Sequence, residues 1–178
     1  MQGSGIRSFT FSNNHRIYSI VKIYIYTDGA ASGNPGPGGY GIVMMAGKHR
    51  RELAAGFRLT TNNRMELLAV IVALEQIKSE GSDVLVTSDS KYVVDSVEKG
   101  WVFNWVKKGF KGKKNPDLWK RFLKIYPKHK VKFQWVKGHN NHPENERCDA
   151  LAVNAANKDN LPFDMGYEEI IKGDKGLF

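Results

Sequence analysis

Val21-Lys-Ile-Tyr-Ile-Tyr-Thr-Asp28 runs straight into Gly29-Ala-Ala-Ser-Gly-Asn-Pro-Gly-Pro-Gly-Gly39, and the element on the far side of that loop decides the fold. The first segment is β-branched and aromatic, the composition of a strand. The second is a dense run of turn residues. A loop that cradles a nucleotide phosphate leads from a strand into a helix. Here the loop leads into Tyr40 to Ala46, which reads as another strand, and no Lys-Ser/Thr pair comes after the glycines. The loop is therefore a tight connection between strands, and its glycines let the backbone approach a neighbour closely. With Arg51 to Thr60 as a third strand after a turn at Gly47-Lys48, the chain opens as a hairpin meander.

Downstream the periodicity changes. Asn63 to Lys78 carries apolar residues at 65, 67, 68, 71, 72, 74 and 77, a stripe that predicts a largely buried helix. Asn63 is placed to cap it, with Glu66 as the capping-box partner. Val84-Leu-Val-Thr-Ser88 is a short apolar strand of the kind covered on both faces. Ser90 opens a helix to about Lys99, the basic segment holds one or two more, the clearer starting near Pro116, Lys130 to Val136 alternates as a strand, and Pro143 begins a helix that runs to Ala156. The expected fold is α/β: one mixed five-stranded sheet flanked by helices, in the order β-β-β-α-β-α-α-β-α. Residues 1–20 contain two arginines and no acid and are expected to be a flexible extension. Residues 158–178, punctuated by Gly, Pro and Asp, are expected to be a loosely attached tail.

Composition narrows the function classes. The chain has 178 residues, a length that suits one domain with a proper core, and a formal net charge of +9. Its single cysteine, Cys148, leaves no internal disulfide framework and fits a reducing compartment, so a cytoplasmic location is expected. No apolar run reaches membrane-spanning length. The charge is localised. Lys99 to Lys132 holds twelve Lys/Arg and one acid, Asp117, while the rest holds 15 basic and 17 acidic residues. Trp101, Trp105, Phe110, Trp119 and Phe122 are interleaved with those lysines, and rings beside cations suit a nucleic-acid groove, although some must be core.

Asp28 and Asp89 each end a strand, where open α/β sheets gather ligands. Taken singly, each is equally a turn or cap residue, and Glu66 a capping residue. Asp149 lies inside the last helix, where Asp is a poor helix former. One Cys with His139 and His142 makes a poor zinc set, and a lone Cys on a helix is ordinarily packing. One of the histidines is better placed as an acid/base group near the carboxylates. Four carboxylates without soft ligands suit Mg²⁺ or Mn²⁺, and with a basic aromatic segment they point to metal-assisted phosphodiester chemistry.

Four blocks carry a specific resemblance: Tyr26-Thr-Asp-Gly-Ala-Ala-Ser-Gly-Asn-Pro-Gly-Pro-Gly-Gly-Tyr40, Thr60-Thr-Asn-Asn-Arg-Met-Glu-Leu67, Thr87-Ser-Asp-Ser-Lys-Tyr-Val93, and Trp135-Val-Lys-Gly-His139 through His142-Pro-Glu-Asn-Glu-Arg-Cys-Asp149. In this order they resemble bacterial type 1 ribonuclease H, from about Val21 to Tyr167. The resemblance implies a ribonuclease H-like catalytic domain over residues 21–157. It implies Asp28, Glu66, Asp89 and Asp149 as metal-binding acids for two Mg²⁺ ions (Mn²⁺ as substitute), with His139 assisting proton handling and product release. The implied activity is endonucleolytic hydrolysis of the RNA strand of RNA/DNA hybrids, leaving 5′-phosphate and 3′-hydroxyl ends, by a monomer with no membrane partner. Asn34, Asn62 and Asn63 match minor-groove residues, and Thr61 and Asn115 match positions that hold a DNA-strand phosphate. Tyr92, Trp101 and Trp105 match rings of the DNA channel, and Lys107, Lys108, Lys111, Lys113 and Lys114 fall in the basic protrusion. That protrusion is several residues shorter than in many bacterial members. Leu59 stands where some members carry an arginine, which implies a weaker phosphate pocket. The alternatives are a non-catalytic nucleic-acid-binding module on the same fold, which has no reason to keep all four acids, and a transposase- or integrase-like enzyme, whose family lacks the Asn-rich block before Glu66.

Overall fold

The computed structural model describes residues 21–138 and 142–175. Five strands form one sheet: β1 (Ile23–Ala31), β2 (Gly36–Ala46), β3 (His49–Thr60), β4 (Asp83–Ser88) and β5 (Lys130–Trp135). Their spatial order is β3-β2-β1-β4-β5. β1, β2 and β3 form the antiparallel meander, whereas β4 and β5 join β1 in parallel. The strand-to-strand loop assignment holds, and β2 begins inside the glycine-rich run, at Gly36.

The helices are α1 (Asn62–Glu75), α2 (Lys91–Glu98), α3 (Trp101–Lys107), α4 (Pro116–Ile125), α5 (Pro143–Ala156) and α6 (Met165–Lys175). Two of them, α3 and α6, add to the expected order. Gly100, at φ 70°, sits in the left-handed region and separates α3 from α2. α1 is apolar on nearly every side because β1, β2 and α4 surround it, and its Met65, Leu67, Val70, Ile71 and Leu74 are fully buried. With Ile25, Ile42, Val86, Val97, Trp119 and Phe122 they make the core on that face of the sheet. Thus Phe110, Trp119 and Phe122 of the basic segment are core rings, whereas Trp101 is exposed.

α5 covers the other face over β1, β2 and β3. It rests on backbone rather than on side chains. A Cβ on Gly39 would lie 2.7 Å from the Ala152 carbonyl oxygen, and on Gly41 and Gly56 it would collide with the carbonyls of Cys148 and Ala155. Only glycine allows so close a seat.

Two expectations need correction. The N-cap of α1 is Thr61, with no side-chain cap bond, so Asn63 lies inside the first turn, the capping-box position falls on Arg64, and Glu66 is two residues too deep for that role. Residues 158–175 are also not loosely attached. The Arg58 amide donates to the Pro162 carbonyl (3.0 Å), and buried Asp164 accepts from Thr60 Oγ1 (2.8 Å) and Arg64 Nε (2.7 Å). Arg64, only 2% exposed, also forks onto Asp117 of α4 through Nη1 (2.8 Å) and Nη2 (2.6 Å). Arg58 pairs with Glu168 at 2.7 Å and lies 3.3 Å from the centre of the Phe163 ring. These contacts tie the final segment to β3, α1 and α4.

Candidate active site

The carboxyl-terminal ends of β1 and β4 lie side by side because the strands pair in parallel, Thr27 opposite Ser88. The next residue of each strand is an acid, Asp28 and Asp89 respectively. α1 brings the third acid. A Cβ on Gly29 would lie 2.5 Å from the Glu66 amide nitrogen and 2.9 Å from the Met65 carbonyl carbon, so Gly29 is what lets α1 lean against β1. The result is a cluster in which carboxylate oxygens of Asp28, Glu66 and Asp89 lie within 4.8 Å of one another. Among the described residues it is the one grouping of three such side chains that could hold a metal ion.

Three carboxylates so close cannot all ionise cheaply. Burial first, then the Asp89 charge, pushes Asp28 up to about 7, against the pull of the Gly29 amide, which donates to Asp28 Oδ1 at 2.7 Å. Burial and then the charges of Asp28 and Asp89 hold Glu66 well above the usual carboxylate range. Asp149 projects from α5 outside this group of three, half-buried, and its charge adds to the upward push on Asp28.

Glu66 Oε2 and Asp89 Oδ1 are buried without any hydrogen-bond partner. Buried polar atoms are ordinarily satisfied, so such orphans need a ligand to explain them. An all-oxygen carboxylate set matches a hard divalent cation. The residues therefore fit a metal of the Mg²⁺ or Mn²⁺ class. Asp89 is held from behind: the Trp135 indole N–H donates to its carbonyl at 2.9 Å, and Gly138 packs against its carboxylate so tightly that a Cβ would collide.

Cys148 is fully buried, and its thiol donates to the Tyr26 carbonyl at 3.2 Å. Burial pushes its pKa far up, which rules out a thiolate nucleophile and agrees with a packing role. His139 lies outside the described residues.

Beyond the acids, a cleft of about 340 Å³ is lined by Asn63, Tyr92, Trp101, Trp105, Lys113 and Lys114, gathering α1, α2, α3 and the segment before α4. The Tyr92 hydroxyl accepts from Asn115 Nδ2 (3.2 Å) and Trp119 Nε1 (2.8 Å). Lys113 Nζ sits 5.1 Å from the Trp105 ring centre and Lys99 Nζ 5.0 Å from that of Trp101. Asn34 Oδ1 accepts from the Asn62 amide (3.2 Å), which draws the glycine-rich loop to the start of α1 beside Thr61. Lys107, Lys108 and Lys111 are exposed beyond this cleft, and Leu59 is half-buried on β3. Trp135, which braces Asp89, and Arg64, which ties α1 to α4 and to the final segment, are not singled out by the sequence. An arginine on a helical face that is otherwise apolar is the available signal for Arg64.

The comparisons with known proteins agree with this geometry. The sequence model of the RNase H family matches residues 21–157. The chain is 57% identical over 158 residues to the Ribonuclease H of Desulforamulus reducens, across 86% of this chain and 99% of that one. It is 55% identical over 153 residues to that of Trichodesmium erythraeum, across 83% and 97%. Among solved structures it is similar to LC9-RNase H1, a type 1 RNase H with the type 2 active-site motif, with TM-score 0.69, 34% identity, and 76% and 72% of the two chains covered. LC11-RNase H1, solved in complex with an RNA/DNA hybrid, matches with TM-score 0.57 and 30% identity over 75% of this chain and 96% of that one. The chain therefore belongs to the ribonuclease H family, in its bacterial type 1 branch, and is a metal-dependent nuclease.

Proposed function

We propose that the protein is an endonuclease that hydrolyses the RNA strand of RNA/DNA hybrids, with residues 21–157 as its catalytic domain. The observation that carries this is the convergence of Asp28, Glu66 and Asp89 with two orphaned carboxylate oxygens, in a chain of this family. Water attacks phosphorus, the bond to the 3′ oxygen breaks, and the products end in 5′-phosphate and 3′-hydroxyl. A bound pair of Mg²⁺ ions supplies water activation and stabilisation of the leaving oxygen. Asp28, Glu66, Asp89 and Asp149 hold that pair, and His139 takes part in proton transfer and product release.

The surroundings of the acids suit a duplex with two unlike strands. Asn34, Asn62 and Asn63 cluster at the start of α1, where they reach a minor groove and its 2′-hydroxyls. Thr61 and Asn115 cap α1 and α4 without using their side chains for the helix ends; Thr61 is open to a backbone phosphate, and Asn115, steadied by the Tyr92 hydroxyl, supports it from the start of α4. Tyr92, Trp101 and Trp105 line the cleft that takes the DNA strand. Lys107, Lys108, Lys111, Lys113 and Lys114 supply sequence-independent attraction to its phosphates. The enzyme acts as a cytoplasmic monomer; no described helix is long and apolar enough to cross a membrane.

The test is cleavage of end-labelled RNA/DNA hybrid, RNA duplex and DNA duplex, each with Mg²⁺, Mn²⁺ or chelator. Internal cuts confined to the RNA of the hybrid, and dependent on metal, are expected. Binding of the hybrid without cleavage by folded protein in either metal would leave the non-catalytic module standing instead.

A further inference from the structure

Asp164 lies beyond residues 21–157, the span that the family's sequence model covers, yet it is only 5% exposed and both oxygens of its carboxylate are engaged. Oδ2 accepts from Thr60 Oγ1 at 2.8 Å and from Arg64 Nε at 2.7 Å. Oδ1 accepts from Arg64 Nη2 at 3.0 Å and from the Tyr167 amide at 3.3 Å, and the second of these closes the first turn of α6. α6 is seated hard on the same group: a Cβ on Gly166 would collide with Asp117 Oδ2 and with Arg64 Nη2. Thr60 and Arg64 bracket Thr61, one residue before it and three after. Arg64 also forks onto Asp117, and only Pro116, whose ring fixes φ, separates Asp117 from Asn115. One carboxylate therefore reaches both Thr61 and Asn115, which come from separate elements and share no hydrogen bond of their own among the described residues. The other ion pair between α1 and α4 among those residues, Arg121 with Glu75 at 2.6 Å, lies at the far end of α1 and leaves this end to Arg64.

We propose that Asp164 is a positioning residue for substrate: it fixes the spacing between Thr61 and Asn115, so the final segment sets how firmly the enzyme holds one phosphate of the DNA strand. The proposal rests on the reading of Thr61 and Asn115 as that phosphate's site. A ligand gripped by two elements binds well only when their separation is set before it arrives; otherwise the ordering of those elements is subtracted from the affinity. The backbone at Asn115 needs such support, since its φ of 56° lies in the left-handed region, which few residues other than glycine adopt. Tyr92 fixes the Asn115 side chain from α2, through the 3.2 Å bond from Nδ2 to its hydroxyl. The distance from Asn115 to Thr61 is set instead through Asp117, Arg64 and Asp164. The acids are held separately, Glu66 by the contact of α1 with Gly29 and Asp89 by Trp135. Loss of the Asp164 carboxylate should therefore loosen substrate without slowing the chemical step. A tether that only stabilised the fold would lower the melting temperature and leave the affinity of the folded enzyme alone.

The experiment is steady-state cleavage of end-labelled RNA/DNA hybrid by the full chain and two variants, at a temperature where circular dichroism shows them folded. Asp164→Asn, which keeps the volume and removes the charge, should raise KM about threefold to tenfold with kcat within about twofold. Thr60→Val, which removes a single bond to Asp164 and keeps every ion pair, should raise KM about twofold, and it decides alone if Asp164→Asn does not fold. Each enzyme is then given hybrids in which one DNA phosphate at a time is a neutral methylphosphonate. In the parent, one position should raise KM; in the variant the same replacement should raise it markedly less, because phosphate and brace act together. Positions met by the exposed Lys107, Lys108 and Lys111 should weaken parent and variant alike. Unchanged KM in the folded variants, kcat falling as much as KM rises, or an equal methylphosphonate effect in parent and variant at every position would overturn the proposal. A parent indifferent to every DNA position would instead remove the phosphate site itself, and the proposal with it.

Discussion

Two buried sets of charges sit two residues apart on α1, and they are built on opposite principles. Arg64 is enclosed by Asp117 and Asp164, with Thr60 donating to the second carboxylate, so nearly every polar atom is answered. Glu66 is enclosed by Asp28 and Asp89, three acids with no cation, and two of their oxygens are answered by nothing. The proton affinities diverge accordingly. Burial works against the Asp117 carboxylate, but Arg64 holds it below the usual range, whereas burial and like charge drive Asp28 and Glu66 upward. One set closes the structure. The other is an unsolved electrostatic problem that a divalent cation solves, and that incompleteness marks it as the working site.

The contrast can be broken from either side. The largest effect belongs to the unanswered set: Asp28→Asn should lower kcat by roughly 10³–10⁴-fold while hybrid affinity stays within a few-fold, measured by single-turnover cleavage and by binding in Ca²⁺. Near-normal turnover would end the metal assignment. Next is the answered set. Arg64→Ala leaves Asp164 as an uncompensated buried carboxylate and should cost about 3–5 kcal/mol in urea unfolding, with Arg64→Ala plus Asp164→Ala costing less than the two singles added together. Additive losses would mean that the pair is not coupled.

A third prediction concerns pH. Asp28 and Glu66 hold protons more tightly when folded, so between the ordinary carboxylate range near pH 4 and about 7 the folded chain binds more protons than the unfolded one. Stability of the metal-free protein must then fall as pH rises through that window. In chelator, calorimetry should show Asp28→Asn melting roughly 3–8 °C above the parent at pH 8 and level with it at pH 4, and Mg²⁺ should narrow the gap at pH 8. A gap independent of pH would refute the sign. The smallest effect lies outside both sets. Neutralising Lys107, Lys108, Lys111, Lys113 and Lys114 should raise KM about threefold to tenfold at low salt and flatten its salt dependence, with kcat little changed.

Much of this was legible in the sequence where periodicity is a local property. The meander, the buried α1 and the β4 strand come from repeats of 2 and 3.6 and from the run of turn residues. Convergence of Asp28, Glu66 and Asp89 does not, because spacing along the chain says nothing of three residues on separate elements; the block resemblance had to suggest it. Thr60-Thr-Asn-Asn63 offers four consecutive polar residues that could each cap a helix, and only the backbone turn selects Thr61. The segment after Asn157 reads as loosely attached because its polar and breaker residues have no period. Its attachment runs through partners far away in the chain: buried Asp164 meets Arg64, 100 residues earlier, and Arg58 meets Pro162, Phe163 and Glu168. The glycines of β2 were read as permitting a close approach, but the element that approaches them, α5, was not readable from the strand itself.

That seat of α5 on Gly39, Gly41 and Gly56 makes mutational drift one-sided. Where helix and sheet are spaced by side chains, a swap on one surface can be absorbed by a swap on the other. Here the spacer is bare backbone, and no second substitution elsewhere can make room for a methyl group. A saturation screen should therefore find two families of intolerant positions with different failures: acids whose loss leaves folded, silent enzyme, and three glycines whose loss leaves no soluble enzyme to assay. The residues with no side chain at all would be as immovable as the ones that do the chemistry.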